Sequence, residues 1–219
     1  RRLVTEGVIG TPVSGSFDRT GATKPRRVDD DPRWSGHWRE DARNSGGSVL
    51  EGFIHELDCT RCVFGTVAGV SADIAGNQEY DGYLSPQTVQ GLVRFGSGAL
   101  VTARTGSAVG VPSRGYWIGG TEGGLRFDRW GQPVLLYRPE HDEPEEVAAE
   151  TNNPYMVELE DLLAAVHGEV DEPENSGRNG LENVGLGLAF YRSCETGTRV
   201  SFTDGVPDLP EDYRNTRFT

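Results

Sequence analysis

Apolar residues along this chain recur with two periods. Over residues 48–64, Leu50, Phe53, Ile54, Leu57 and Phe64 fall on one side at helical spacing. Residues 154–167 repeat the pattern with Tyr155, Leu159, Leu162, Leu163 and Val166, after Asn153 as N-cap and Pro154 at the first helical position. A third helix is expected over 181–194, where Gly185, Gly187 and Ala189 would let it pack closely on a sheet. Between these lie strands, predicted at 11–19, 66–74, 88–95, 99–106, 114–119, 124–129, 134–138 and 199–202. Gly96-Ser-Gly98 marks a tight hairpin, and Gly119-Gly-Thr-Glu-Gly123 a second. Residues 1–7 read as the end of a helix with Gly7 as its C-cap. Residues 20–45 form a long polar loop carrying Trp34 and Trp38, and loops of that length often bind ligands. Residues 140–150 read as an acidic, solvated connection. The order predicts an α+β domain over residues 1–204, one open, mainly antiparallel sheet with helices on one face. Residues 205–219 are expected as a polar tail.

The composition narrows the function. The 219 residues hold 34 Asp and Glu against 21 Lys and Arg, a net charge of −13. Such a chain repels phosphate backbones, which argues against a nucleic-acid partner. Lys24 is its single lysine, a bias that a salt-rich cytoplasm and a GC-rich genome explain equally well. No apolar run is long enough to cross a membrane, and no secretory signal opens the chain, so a cytoplasmic location is expected. The first residue, Arg1, points to processing or to a longer parent protein. Cys59, Cys62 and Cys194 are too few for a disulfide framework. Cys59 and Cys62 form a lone C-x-x-C without a second ligand pair, so helix packing is expected and no metal.

The chemistry concentrates in Gly46-Gly-Ser-Val-Leu-Glu-Gly-Phe-Ile-His-Glu-Leu-Asp58. On a helix at about 100° per residue, Glu51 and His55 share a face and Asp58 joins them. A carboxylate beside an imidazole orients the ring and favours its charged form, an arrangement suited to general acid–base work. The same spacing also fits an exposed ion pair, or part of a metal site. No glycine-rich turn opens a strand–helix unit, so no dinucleotide-binding fingerprint is present.

Five segments in order resemble the C-terminal domain of the glucose–fructose oxidoreductase, inositol dehydrogenase and MocA-like family. Glu6-Gly-Val-Ile-Gly10 is similar to the entry into the first strand. Trp38 with Ser45-Gly-Gly-Ser48 resembles a W…GGG approach, although Ser48 stands where a third glycine is common. The Glu51, His55, Asp58 spacing resembles the signature helix, in which Cys62 lies near a usual bulky apolar position. Residues 153–166 are similar to the helix after the sheet, and residues 189–200 to the closing A-x-x-S-x-x-x-G-x-x-V. The resemblance implies a glyceraldehyde-3-phosphate-dehydrogenase-like domain belonging to a two-domain enzyme. An N-terminal Rossmann domain, absent here, would hold NAD or NADP and supply a catalytic lysine. The parent would oxidise a sugar or polyol carbinol, and this chain alone would be inactive. By the resemblance, His55 is the acid–base residue and Glu51 its carboxylate partner. Trp38, Arg39, Arg19 and Asp58 are candidates for substrate binding, Asp58 with a structural role as its alternative. The open sheet face would carry a homodimer or homotetramer. The other expectations are a non-catalytic sugar-binding module and an NAD-dependent glycoside-cleaving enzyme.

Overall fold

The computed structural model describes residues 1–21, 45–75, 88–106, 112–129, 131–149 and 152–213. Ten strands build one sheet: β1 (Pro12–Thr20), β2 (Val67–Ala75), β3 (Thr88–Phe95), β4 (Leu100–Gly106), β5 (Ser113–Gly120), β6 (Gly124–Phe127), β7 (Val134–Tyr137), β8 (Glu145–Val147), β9 (Val200–Thr203) and β10 (Val206–Pro207). Their order is β10-β9-β2-β3-β4-β1-β5-β6-β7-β8. All pairings are antiparallel except β1 with β4. The α+β architecture and the mainly antiparallel sheet are therefore as the sequence predicts. The helices are α1 (Arg2–Thr5), a π-helical turn Val49–Phe53 continuing into α2 (Ile54–Phe64), α3 (Pro154–Val166) and α4 (Gly177–Thr196).

Strand register explains where the core sits. One row across the covered face runs Val70, Val93, Val101, Gly15, Ile118, Leu125, Leu136. Its side chains are all buried. The next row holds Ala72, Gly91, Ala103, Phe17, Tyr116 and Phe127. Its small residues admit the ring of Phe190 from α4, and a Cβ at Gly91 would collide with that ring. Its aromatic half stacks, with Tyr116 and Phe127 centroids 4.8 Å apart. The third row begins apolar, with Ile74 and Val89, and then turns polar at Thr105, Arg19 and Arg114.

Four sequence expectations need correction. The helix expected over 48–64 is not α-helical throughout its opening. Its opening turn is π-helical, so each residue sweeps less than the 100° used to align Glu51 with His55. Residues 140–150 contain an edge strand, β8, because Val147 packs against the core opposite Val134 while Glu145 and Glu146 charge the edge. Gly187 does not open α4 towards the sheet but makes room for Leu50 of the π-helical turn, whereas Gly185 does let α4 approach the sheet, at Pro207 of β10. Finally, the apolar stripe of α3 forms but is not buried, its members being 44–79% exposed. Asn153 caps that helix through Tyr155 N, as its sequence predicts.

The segment expected as a tail begins by pairing β10 with β9, and the Tyr213 hydroxyl donates to Glu195. Among the described residues no helix is long and apolar enough to cross a membrane, and no three His, Cys, Asp or Glu are grouped to hold a metal.

Candidate functional site

The site is built where the third row turns polar. Gly46 and Gly47 both have positive φ, which only glycine adopts without strain, and they steer the chain into the π-helical turn. Buried Tyr191 of α4 locks that entry: its hydroxyl donates to Gly46 O at 2.7 Å and accepts from Val49 N at 3.3 Å. Phe53, Leu57, Thr60 and Phe64 then hold the turn and α2 against the sheet. Glu51 and Gly52 are thereby set above the ends of β1 and β4.

A cleft of about 210 Å³ lies there. Arg19, Gly21, Ser48, Glu51, Thr105 and Arg114 contribute to its walls. Gly21 N donates to Gly106 O at 2.8 Å, so two chain segments leave the sheet at the rim of this cleft. Trp38 and Arg39 belong to one of those segments and lie outside the described residues.

Behind Arg19, away from the cleft, lies a residue that the sequence reading did not single out. Glu56 is 1% exposed, directly after His55 on α2. Arg19 Nη1 donates to its two carboxylate oxygens at 3.3 and 3.2 Å, and the Tyr116 hydroxyl donates to Oε1 at 3.1 Å. Burial, then the adjacent Glu56 carboxylate, raises the Tyr116 pKa above the usual phenol range. Tyr116 therefore stays protonated as a donor. Arg19 also reaches Gly52 O at 3.5 Å, so its guanidinium is fixed between the sheet and the π-helical turn. The one signal in the sequence was angular: at about 100° per residue, position 56 falls at the edge of the packed side, beside Thr60.

The structure brings Glu51 and Arg19 into one cleft. It places His55 outside that cleft, exposed on the outer face of α2. Asp58 is engaged elsewhere, accepting from Asn183 Nδ2 at 2.7 Å and Asn179 Nδ2 at 3.1 Å of α4. Arg61 completes this clasp through Asn179, Asn183 and Glu182. Cys59 is half-buried and Cys62 exposed. Burial, reinforced by Asp58, pushes the Cys59 thiol up to about 12.

The family model for the oxidoreductase family C-terminal alpha/beta domain matches residues 1–202. The chain belongs to this family, the Gfo/Idh/MocA oxidoreductases. Within the family's range of sequences, it is 32% identical over 132 residues to 2,7-anhydro-N-acetylneuraminate hydratase of Escherichia coli K12, covering 58% of this chain and 33% of that protein. It is 24% identical over 213 residues to 1,5-anhydro-D-fructose reductase of Ensifer adhaerens, covering 94% of this chain and 60% of that protein. The chain thus spans between a third and three fifths of the curated relatives it matches. Aldose-aldose oxidoreductase of Caulobacter crescentus, solved with glycerol, shares the fold with a TM-score of 0.75 at 22% identity, over 92% of this chain and 58% of that one. Levoglucosan dehydrogenase, solved with NADH, does so with a TM-score of 0.74 at 16% identity, over 93% and 62%.

Proposed function

We propose that this chain is the substrate-binding part of an NAD(P)-dependent enzyme that oxidises a carbinol of a sugar or polyol. The observation that carries the reading is the cleft at the end of β1. There a half-buried acid, Glu51, and a pinned guanidinium, Arg19, sit beside the helix that presents His55 outward. Family membership supports the reaction class, and the relatives named above act on sugars or anhydrosugars by their names. The described residues hold no glycine-rich turn between a strand and a helix, so they do not fit a dinucleotide. NAD or NADP is assigned to a domain outside these residues, and the nicotinamide would supply the hydride acceptor.

The roles of this chain's residues follow from position. His55 takes the hydroxyl proton as the carbinol carbon gives up its hydride, leaving a carbonyl. Its exposure fits a base that meets substrate held between two domains. Glu51 fixes the sugar or the imidazole from the cleft side, and Arg19 donates to sugar oxygens. Trp38 and Arg39, outside the described residues, are proposed as further substrate-binding residues. Asp58, already held by two asparagines, keeps α2 on α4. The open sheet face carries a row of Leu92, Thr102, Ser16, Trp117 and Arg126, with Leu100 and Tyr137 nearby, and its half-exposed apolar members suit a second copy.

The deciding experiment replaces His55 by Ala in the full-length enzyme. A fall in kcat of about 10²–10⁴ with retained sugar binding is expected for a lost base. Unchanged turnover would remove His55 from the chemistry. Sugar binding with no NAD(P) reduction in the parent protein would favour the non-catalytic module.

A further inference from the structure

We propose that the cleft beside Glu51 selects an anionic sugar, with Arg19 and Arg114 together holding a carboxylate or phosphate group; this rests on reading the cleft as the substrate site. Arg19 and Arg114 are direct register partners on β1 and β5, so their side chains stand on the same face of the sheet. Like charges directly opposite each other across antiparallel strands destabilise the pair. Both residues line the cleft, so the pairing is unfavourable where a ligand would sit.

The protein's own acids do not resolve it. Glu56 engages Arg19 through Nη1, from beneath, leaving Nε and Nη2 without a hydrogen-bond partner among the described residues. Arg114 is exposed and forms no ion pair among the described residues. The neighbouring acid is already engaged: Asp18, next to Arg19 on β1, pairs with Arg104. Thr105, on the other side of Arg19 in the same row, is a neutral neighbour whose hydroxyl donates to Arg19 O. An oxyanion between the two guanidinium groups would remove the repulsion and accept charge-assisted hydrogen bonds from both. A neutral hydroxyl accepts such bonds but leaves the two cations facing each other. Glu51 repels the same anion, so the acidic end of the sugar settles at the arginine side. Its other end then points towards the π-helical turn and α2.

The test is calorimetric titration of the full-length enzyme with glucuronate, glucose 6-phosphate and glucose as probes. The expected result is that at least one anion binds about 10–100-fold more tightly than glucose. Whichever anion does so tells a carboxylate from a phosphate site. In Arg114→Gln that preference should fall to about twofold or less, with a melting curve unchanged or slightly raised, because Arg114 is exposed and its repulsion with Arg19 is gone. Equal binding of all three probes, or no binding of either anion at millimolar concentration, overturns the proposal. So does an anion preference that survives in Arg114→Gln. NAD(P) reduction by neutral sugars is followed separately: turnover without any anion preference overturns this inference and leaves the oxidation reading standing.

Discussion

Replacing Glu56 by Gln tests the arrangement that holds Arg19 in place. The amide keeps the shape and removes the charge. Glu56 is 1% exposed and accepts from Arg19 at 3.2–3.3 Å and from Tyr116 at 3.1 Å. A hydrogen bond to a charged group is worth about 1.5–3 kcal/mol. Arg19, however, is 39% exposed, so water takes over part of what it loses. The net cost of Glu56→Gln should be about 1–2 kcal/mol. For a domain of this size each kcal/mol moves Tm by about 2–4 °C, so a fall of about 2–8 °C is expected. Glu56→Ala adds a cavity and strands the buried Tyr116 hydroxyl, raising the cost to about 3–5 kcal/mol. Urea unfolding followed by circular dichroism, with an unchanged m-value, measures both. A double-mutant cycle with Arg19→Gln should return a coupling of at least about 0.5 kcal/mol. Glu56→Gln within about 0.3 kcal/mol of the parent, together with zero coupling, would refute the idea that Glu56 pins Arg19.

Other outcomes follow from the same geometry. Cys59 should resist iodoacetamide at pH 8 while exposed Cys62 reacts; mass spectrometry of the alkylated peptide separates them. Cys59 keeps its proton up to about 12 when folded, whereas the unfolded thiol ionises from about 9. Stability is therefore present in full below pH 9 and lost as pH rises towards 12, and Cys59→Ala should flatten the urea midpoint over that window. Gly91→Ala should cost about 1–3 kcal/mol, because its methyl would enter the ring of Phe190 on the far side of a well-packed core; thermal unfolding reads this directly. Leu159→Glu with Leu162→Glu on α3 should move the stability of the isolated chain by no more than about 0.5 kcal/mol per site, since both are already exposed.

Much of this fold was legible because local chemistry decides it. Alternation placed β3 to its last residue, the Gly96-Ser-Gly98 turn placed its hairpin, and Asn153-Pro154 placed the start of α3. What escaped depends on residues distant in sequence. Glu56 looks like a surface acid until Arg19 and Tyr116 are delivered to it from two strands. The π-helical turn depends on Tyr191 gripping Gly46 and Val49 from α4, more than 140 residues away in sequence. Glu145 and Glu146 disguise an edge strand as a solvated linker. Periodicity identified the amphipathic face of α3 but carries no information about what should cover it. In the candidate site, Glu51 and Arg19 were accessible to pattern reasoning because each sits at the end of a well-marked element. Arg114 and Glu56 were not, because their importance comes from register and burial.

The place of β1 in the sheet has a consequence for the order of folding. This strand comes first in the chain yet sits between β4 and β5, in the middle of the strand order. Asp18 reaches its strand neighbour Arg104 across 86 residues of sequence, and Arg19 reaches Glu56 across 37. The meanders β2-β3-β4 and β5-β6-β7-β8 can each form from neighbouring segments, with little loop entropy to overcome. The strand between them completes its pairing only when both of its flanks exist. Two half-sheets with open inner edges are thus the natural precursors, and the arrival of β1 joins them. That same arrival carries Arg19 under the π-helical turn. A ligand that needs Arg19 can therefore bind only after the last long-range pairing has closed, and a chain halted one step earlier would hold most of its secondary structure and none of its cleft.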